Sequence, residues 1–127
     1  MAKVLGIGGV FFKSPDPKRL NEWYARWLGF EFEGDWGIVL YPDNMPKHGY
    51  TVWSAFDSKT DYFAPSNKDF MINLVVDNIE EAIKQVKEGG GQVIGDIEKL
   101  EYGLFGWFVD PDGNKVELWE PRKREEL

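Results

Sequence analysis

The strongest constraint on the fold is a tight turn between two apolar segments near the end of the 127-residue chain, within Phe108–Trp119. Pro111 fixes φ at a central turn position, and Gly113 tolerates the positive φ that such turns require. After the turn, apolar and polar residues alternate, which is the pattern of a half-buried strand. The residues predicted to lie on the face opposite the core are Lys115, Glu117 and Trp119. The sequence therefore predicts a hairpin that holds the Glu117 carboxylate on a rigid strand.

The composition indicates a single folded domain. Of the 127 residues, 43% are hydrophobic and 16% aromatic, which supplies a core and argues against disorder. The chain has no cysteine, so disulfides, thiolate zinc sites and thiol nucleophiles are excluded. It contains no apolar run of the ~20 residues that a membrane span needs, and its start lacks the apolar core of a signal peptide. We therefore expect one domain over residues 1–127, located in the cytoplasm, with no membrane partner.

The charge balance argues against a nucleic-acid partner. The formal net charge is −7, whereas a phosphate backbone is bound through clustered Lys and Arg. One basic cluster is present, at Arg122-Lys123-Arg124, but two Glu residues follow it at once. This pattern is typical of a solvated tail.

The predicted elements occur twice in the same order. Each half begins with a strand, continues with an amphipathic helix that ends at glycine, and finishes with three short strands. The predicted strands are 4–12, 30–32, 37–41 and 50–56 in the first half, and 70–76, 93–94, 104–109 and 115–119 in the second. The sequence thus predicts an α+β fold of two β-α-β-β-β modules, approximately residues 4–56 and 69–121.

The turn and the repeat together carry a family resemblance. The motif Asp110-Pro111-Asp112-Gly113-Asn114, followed by Glu117-Leu118, ends a duplicated module. In these features the chain resembles the vicinal oxygen chelate superfamily, which includes glyoxalase I, bleomycin-resistance proteins and extradiol dioxygenases. The resemblance implies that the mixed sheets of two tandem modules curl into a cup-shaped half-barrel around a small-molecule site. It also implies a homodimer, in which both chains often shape the site.

The metal site of this superfamily is largely missing from the sequence. Metal-dependent members carry His, Gln or Glu at four equivalent strand positions, which by resemblance fall here on Gly9, Met71, Glu117 and, where the register could shift by one or two residues, Trp53. Only Glu117 can serve as a ligand, whereas zinc or iron needs about three imidazole or carboxylate ligands. The sole histidine, His48, lies in a polar loop. We therefore expect no metal and no cofactor; the alternative is a divalent metal with Glu117 as its one surviving ligand.

The predicted inner face of the cup combines aromatic side chains with a few polar groups, a composition typical of small-molecule pockets. Within the turn-rich linker 57–69, the segment Thr60–Phe63 could fold over this face with Tyr62 reaching in, or it could be purely structural. The candidate ligand-binding residues are Phe11, Trp53, Tyr62, Met71, Asn73, Lys115, Glu117 and Trp119. The leading hypothesis is a metal-independent protein that binds a partly aromatic or cationic small organic molecule, as the bleomycin-resistance branch does. Glu117 would then neutralise a positive group, and a tryptophan face would add cation–π attraction.

Other interpretations remain open. The aromatic residues could build only core and dimer contacts, with Glu117 paired to Lys115 at an open rim. Alternatively, the protein is a glyoxalase-type lyase or isomerase with Glu117 as general base. An extradiol dioxygenase is least favoured, because its iron site needs two histidines and the chain has one. If Glu117 lines an enclosed aromatic cavity, we expect Glu117→Gln to leave the melting temperature unchanged or to raise it, because a desolvated carboxylate is costly to bury.

Overall fold

The second half of the chain forms a four-stranded mixed sheet with one helix. The computed structural model describes residues 1, 5, 7–34, 37–47 and 49–122. The elements of this half are β1 (Ile72–Val75), α2 (Ile79–Glu88), β2 (Gln92–Leu100), β3 (Gly103–Val109) and β4 (Lys115–Pro121). The strand order is β1-β4-β3-β2, with β1 parallel to β4 and the other neighbours antiparallel. This arrangement confirms the predicted α+β class and the β-α-β-β-β order of the second half.

Both predicted helices are present, and both begin at a side-chain cap. Helix α1 (Pro17–Leu28) starts after Asp16, whose carboxylate accepts a hydrogen bond from the backbone of Arg19, and it ends at Gly29 with φ 71°. Helix α2 starts after Asn78, whose side chain caps the backbone of Glu81 in the same way. The apolar periodicity and the flanking turn residues were therefore sufficient to predict these helices.

The core lies between the two helices and one face of the sheet. Gly106 of β3 lets α2 approach closely, because a Cβ at this position would lie 3.0 Å from Cδ1 of Ile83. Val116 and Leu118 of β4 are 1% and 0% exposed, which confirms the predicted inward face of this strand. The buried core residues are Leu20, Tyr24, Ile79, Ala82, Ile83, Val86, Phe108, Val116 and Leu118.

The turn between β3 and β4 is held by a buried carboxylate. Oδ1 of Asp110 accepts hydrogen bonds from the backbone N–H groups of Asp112 and Asn114, both at 2.9 Å. Oδ2 accepts from the Tyr24 hydroxyl of α1, also at 2.9 Å. Gly113 adopts φ 82°, the left-handed conformation that the sequence predicted. Asp110, the first residue of the turn motif, thus connects the β3–β4 hairpin to α1 through its side-chain hydrogen bonds.

The predicted tandem repeat is not confirmed in the first half. Outside α1, the described residues of this half form a short 3-10 helix at Pro42–Asn44 and one isolated bridge between Glu33 and Gly37, but no strand. A strand needs a neighbouring backbone to pair with, and apart from this bridge the described residues of the predicted first-half strands show no strand pairing. Part of the predicted strand 4–12 lies outside the described residues. The module limits 4–56 and 69–121 remain a prediction.

The same segments leave large apolar side chains exposed. The exposed large hydrophobic residues between positions 5 and 56 are Leu5, Ile7, Val10, Phe11, Phe12, Val39, Leu40, Tyr41, Tyr50, Val52, Trp53 and Phe56. We call these residues the first-half apolar surface. No helix among the described residues has the length and apolar character needed to cross a membrane.

Candidate functional site

Glu117 lies in the middle of the sheet, on the face opposite the core. In the strand register it is level with Asn73 of β1 on one side and Trp107 of β3 on the other. Its side chain is 9% exposed. The open-rim arrangement is therefore absent, because a rim carboxylate would be solvated.

The Glu117 carboxylate accepts three hydrogen bonds. Oε1 accepts from Nδ2 of Asn73 at 2.7 Å. Oε2 accepts from Nε1 of Trp107 at 2.8 Å and from the Tyr62 hydroxyl at 2.5 Å. Buried charge is tolerated only where polar partners replace water, and these donors fulfil that role. Glu117 is thus a buried carboxylate with partners.

Tyr62 belongs to a turn-rich segment that crosses this face, residues 57–69, which we call the strap. Lys115 fixes the strap at the same point, because its Nζ donates to the backbone oxygen of Tyr62 at 2.6 Å and lies 5.1 Å from the centre of the Tyr62 ring. Lys115 is 8% exposed. Lys115 and Glu117 therefore both contact Tyr62, one at its backbone and one at its hydroxyl.

Aromatic rings surround Tyr62. Phe56 stacks on it with ring centres 5.6 Å apart and planes at 27°. Trp107 meets it edge to face at 6.4 Å and 87°, and Phe63 lies 6.4 Å away. Such stacked and edge-to-face contacts each contribute about 0.5–1.5 kcal/mol beyond burial. The result is an aromatic enclosure with one carboxylate and one ammonium group in its wall.

The environment of Tyr62 keeps its phenol protonated. Partial burial raises the pKa of Tyr62 well above its usual value, and the hydrogen bond to Glu117 and the negative charge of Glu117 raise it further. At neutral pH the hydroxyl is therefore a donor. The carboxylate and the phenol form a charge-assisted hydrogen bond, which is stronger than a neutral one.

The structure brings together four of the eight residues proposed from the sequence: Tyr62, Asn73, Lys115 and Glu117. Trp119 shares the face, but its Nε1 donates to the backbone oxygen of Tyr102, and its ring stacks on Phe105. Met71 is partly buried just before β1.

Phe11 and Trp53 are placed differently, since their side chains are 96% and 84% exposed. Neither donates a hydrogen bond to Glu117. Trp53 was assigned to the first-half position equivalent to Glu117. That assignment assumed a strand at 50–56, which the structure does not have. Both residues belong instead to the first-half apolar surface.

Sequence reasoning missed two groups that shape the site, Trp107 and Phe56. Trp107 could have been found, because a turn centred on Pro111–Gly113 pairs Trp107 with Glu117 in an antiparallel hairpin. Phe56 precedes the strap and contacts Tyr62 through tertiary folding alone. No local pattern in the sequence marks that contact.

The residues around Glu117 do not fit the metal of the resembling superfamily. The neighbours of its two oxygens are an amide N–H, an indole N–H and a phenol hydroxyl, which are donors to an anion. Within the described residues, no group of three or more His, Cys, Asp or Glu side chains could hold a metal ion. His48 lies outside these residues. The expectation that the protein needs no metal stays a prediction.

Comparisons with known proteins agree with this fold. A family model described as a glyoxalase-like domain matches residues 9–119. A glyoxylase/bleomycin resistance protein/dioxygenase domain from Frankia sp. EAN1pec is 17% identical over 94% of this chain and 100% of its own, with a TM-score of 0.58. A member of the corresponding superfamily from Sphaerobacter thermophilus is 23% identical over 94% of this chain and 98% of its own, with a TM-score of 0.51.

A third similar structure has a described ligand class. TnmS3, an antibiotic binding protein from Streptomyces sp. CB03234, is 21% identical over 86% of this chain and 89% of its own, with a TM-score of 0.52. At these identities the structural matches show the fold alone. No curated protein is significantly similar to the chain.

Proposed function

Since the chain belongs to the glyoxalase-like domain family, whose model matches residues 9–119, we propose that it binds a small organic molecule without a metal. The ligand is partly aromatic or cationic and lies on the Glu117 face of the sheet, under the strap. One observation carries this proposal: the buried Glu117 carboxylate accepts a hydrogen bond from Tyr62, whose ring lies between aromatic side chains. A similar fold in an antibiotic binding protein supports it.

The donors to Glu117 differ in how firmly they are held. Asn73 and Trp107 lie on strands that flank β4, so their positions follow from the sheet register. Tyr62 lies on the strap, and its side chain is 37% exposed. A ligand can therefore take the place of Tyr62 while the two strand donors stay fixed. Such a site is largely preformed, which lowers the entropic cost of binding.

Catalysis by Glu117 is the weaker candidate. A general base needs a lone pair directed at the substrate proton, whereas three of the roughly four lone-pair sites of the Glu117 carboxylate already accept hydrogen bonds from side chains. Binding requires only the departure of Tyr62, whereas catalysis also requires a substrate proton aligned with a lone pair of Glu117. We therefore place the lyase or isomerase function second.

We also propose that the protein acts as a cytoplasmic homodimer. The chain exposes 9933 Å², whereas a compact monomer of 14.7 kDa exposes about 6,900 Å². The excess of about 3,000 Å² is larger than the ~800 Å² that each partner buries in a standard interface. In the part of the chain that the structure describes, the side chains of the first-half apolar surface remain exposed. We propose that a second copy of the chain covers the first-half apolar surface.

The experiment that tests ligand binding is a screen of small organic molecules by tryptophan fluorescence, with hits verified by native mass spectrometry. Wild-type protein is compared with Glu117→Gln and with Glu101→Gln, a matched change at an exposed carboxylate of the β2–β3 turn. We expect ligands whose affinity falls at least tenfold in Glu117→Gln and is unchanged in Glu101→Gln. A ligand set that binds all three proteins equally would contradict the proposal.

A further inference from the structure

We propose that the Glu117 face binds a phenolic ring, and that Tyr62 occupies the position of this ring when no ligand is present. The inference rests on the proposed function and names the ligand class of the same site. It follows from what surrounds the Tyr62 side chain, because those contacts define the chemistry that the site accepts.

The hydroxyl position is specified by a hydrogen bond. Oε2 of Glu117 accepts from the Tyr62 hydroxyl at 2.5 Å and from Nε1 of Trp107 at 2.8 Å. When Tyr62 leaves, Oε2 keeps the indole donor and loses the phenol donor. A buried carboxylate oxygen with a lost partner is costly, so the site favours a ligand that restores an O–H donor at that point.

The ring position is specified by aromatic contacts. Phe56 lies against the face of the Tyr62 ring at 5.6 Å, and Trp107 contacts it edge to face at 6.4 Å. A flat aromatic ring can contact both neighbours, one by its face and one edge to face, and a branched aliphatic group offers neither geometry. A ligand that presents a hydroxyl on an aromatic ring satisfies both requirements at once.

The charges of the site favour a neutral ring over a cation. Nζ of Lys115 lies 5.1 Å from the centre of the Tyr62 ring. A cationic group in place of this ring would be repelled by Lys115 at short range, which offsets its attraction to Glu117. The ring of a neutral phenol instead gains cation–π attraction from the same ammonium group.

The strap is built so that it can leave as a unit. Its turns are closed by local backbone hydrogen bonds, Thr60 to Asp57, Ala64 to Asp61 and Ser66 to Phe63, each at 3.0 Å. These bonds lie within the strap and do not depend on the sheet. The contacts of Tyr62 with Glu117 and Lys115, in contrast, join the strap to β4. Displacement of Tyr62 therefore breaks contacts with the sheet and preserves the turns.

The test uses the full-length Tyr62→Ala variant, which vacates the space of one phenol. Phenol and toluene have nearly the same shape, but only phenol donates a hydrogen bond. We expect phenol to bind Tyr62→Ala at least tenfold more tightly than toluene and to shift the NMR resonance of the Trp107 indole N–H. The preference should disappear in Tyr62→Ala/Glu117→Gln. Equal binding of phenol and toluene, or phenol binding that leaves Trp107 unshifted, would overturn the inference.

A second variant covers the case in which Tyr62→Ala does not fold. Tyr62→Phe keeps the ring and removes the hydroxyl, so an added phenol no longer competes with an internal donor. We expect phenol to bind Tyr62→Phe at least threefold more tightly than wild-type protein, because the apparent affinity rises with the fraction of open site. Equal affinity for the two proteins would count against the inference.

The same titrations separate the phenol inference from the proposed function. If benzyltrimethylammonium binds wild-type protein in a Glu117-dependent manner and phenol does not, the proposed function stands and the phenolic ligand class is wrong. If phenol, benzyltrimethylammonium and all the screened molecules fail to bind in a Glu117-dependent manner, both the proposed function and the phenol inference are wrong.

Discussion

The hydroxyl of Tyr24 in α1 lies 2.9 Å from Oδ2 of Asp110, which is 86 positions later in the chain, at the start of the β3–β4 turn. Asp110 is 6% exposed, and Tyr24 is 8% exposed. The contact joins the helix of the first half to the hairpin that carries Glu117. The turn motif and the functional strand are thus fixed to the core by a buried phenol–carboxylate pair.

Removal of this contact should destabilise the protein. Tyr24→Phe retains the ring but leaves a buried oxygen of Asp110 with one partner fewer, and hydrogen bonds to charged groups contribute about 1.5–3 kcal/mol. We expect the free energy of unfolding in urea to fall by about that amount. Tyr102→Phe, which removes the hydroxyl of a 60% exposed tyrosine, is the matched control and should change stability little. An equal loss in both variants would contradict the structural role of the Tyr24–Asp110 pair.

The stability should decline at alkaline pH, in a way that depends on Tyr24. Burial, and then the charge and hydrogen bond of Asp110, raise the pKa of Tyr24 far above its ordinary value. The unfolded chain releases this proton near pH 10 while the folded protein retains it, so the stabilisation is full below pH 10 and declines as the pH rises further. We expect a shallower decline above pH 10 in Tyr24→Phe, measured by urea unfolding. Identical slopes in the variant and the wild type would show that Tyr24 does not carry the effect.

The sequence predicted those parts of the fold that local patterns encode. The two amphipathic helices, the glycine after α1 and the alternation in β4 each appear in the structure as predicted. These features depend on near neighbours in the chain. Strand pairing in the first half depends on distant backbone, and the described residues do not form the strands that the alternation there indicated.

The residues of the site that lie on β4 and on its hairpin partner β3 were predictable from the sequence. The alternation in β4 placed Glu117 and Lys115 on the same face, and the hairpin register would also have given Trp107. The contact between Tyr62 and Glu117 spans 55 positions, so no periodic pattern encodes it. Tyr62 is one of three hydrogen-bond donors to Glu117. With all three, Glu117 is a buried charge with partners, so its replacement has a different expected effect on stability.

Because Glu117 has partners, its neutralisation should destabilise the protein. Glu117→Gln replaces one acceptor oxygen by an N–H₂ group, which then faces either the one donor at Oε1 or the two donors at Oε2. The charge that strengthens the remaining hydrogen bonds is lost as well. We expect a loss of about 1–3 kcal/mol in the free energy of unfolding, opposite in sign to the outcome that the sequence led us to expect. Glu101→Gln serves as the control. A melting temperature of Glu117→Gln at or above the wild-type value would mean that these hydrogen bonds do not form in solution.

Metal removal should have no effect on the protein. By resemblance, Gly9 and Met71 fall at ligand positions of the superfamily and offer no imidazole or carboxylate, and the neighbours of Glu117 are hydrogen-bond donors. We expect less than about 0.1 equivalent of zinc, iron or nickel per chain after dialysis, and an unchanged melting temperature after treatment with EDTA. Elemental analysis that finds about one metal ion per chain, lost in Glu117→Ala, would establish the metal-dependent alternative.

The first-half apolar surface should hold two chains together. Phe11 and Trp53 are 96% and 84% exposed in the single chain, so a charged side chain at these positions should change the stability of the monomer little. In an interface the same charge would lose its hydration, which weakens association. We expect wild-type protein to have the mass of a dimer at micromolar concentration, and Phe11→Glu/Trp53→Glu to have that of a folded monomer, by light scattering coupled to gel filtration. Tyr102→Glu, a matched change at an exposed aromatic residue outside this surface, should remain dimeric. A monomeric wild type would rule out the homodimer, and a dimeric double variant would show that the chains meet elsewhere.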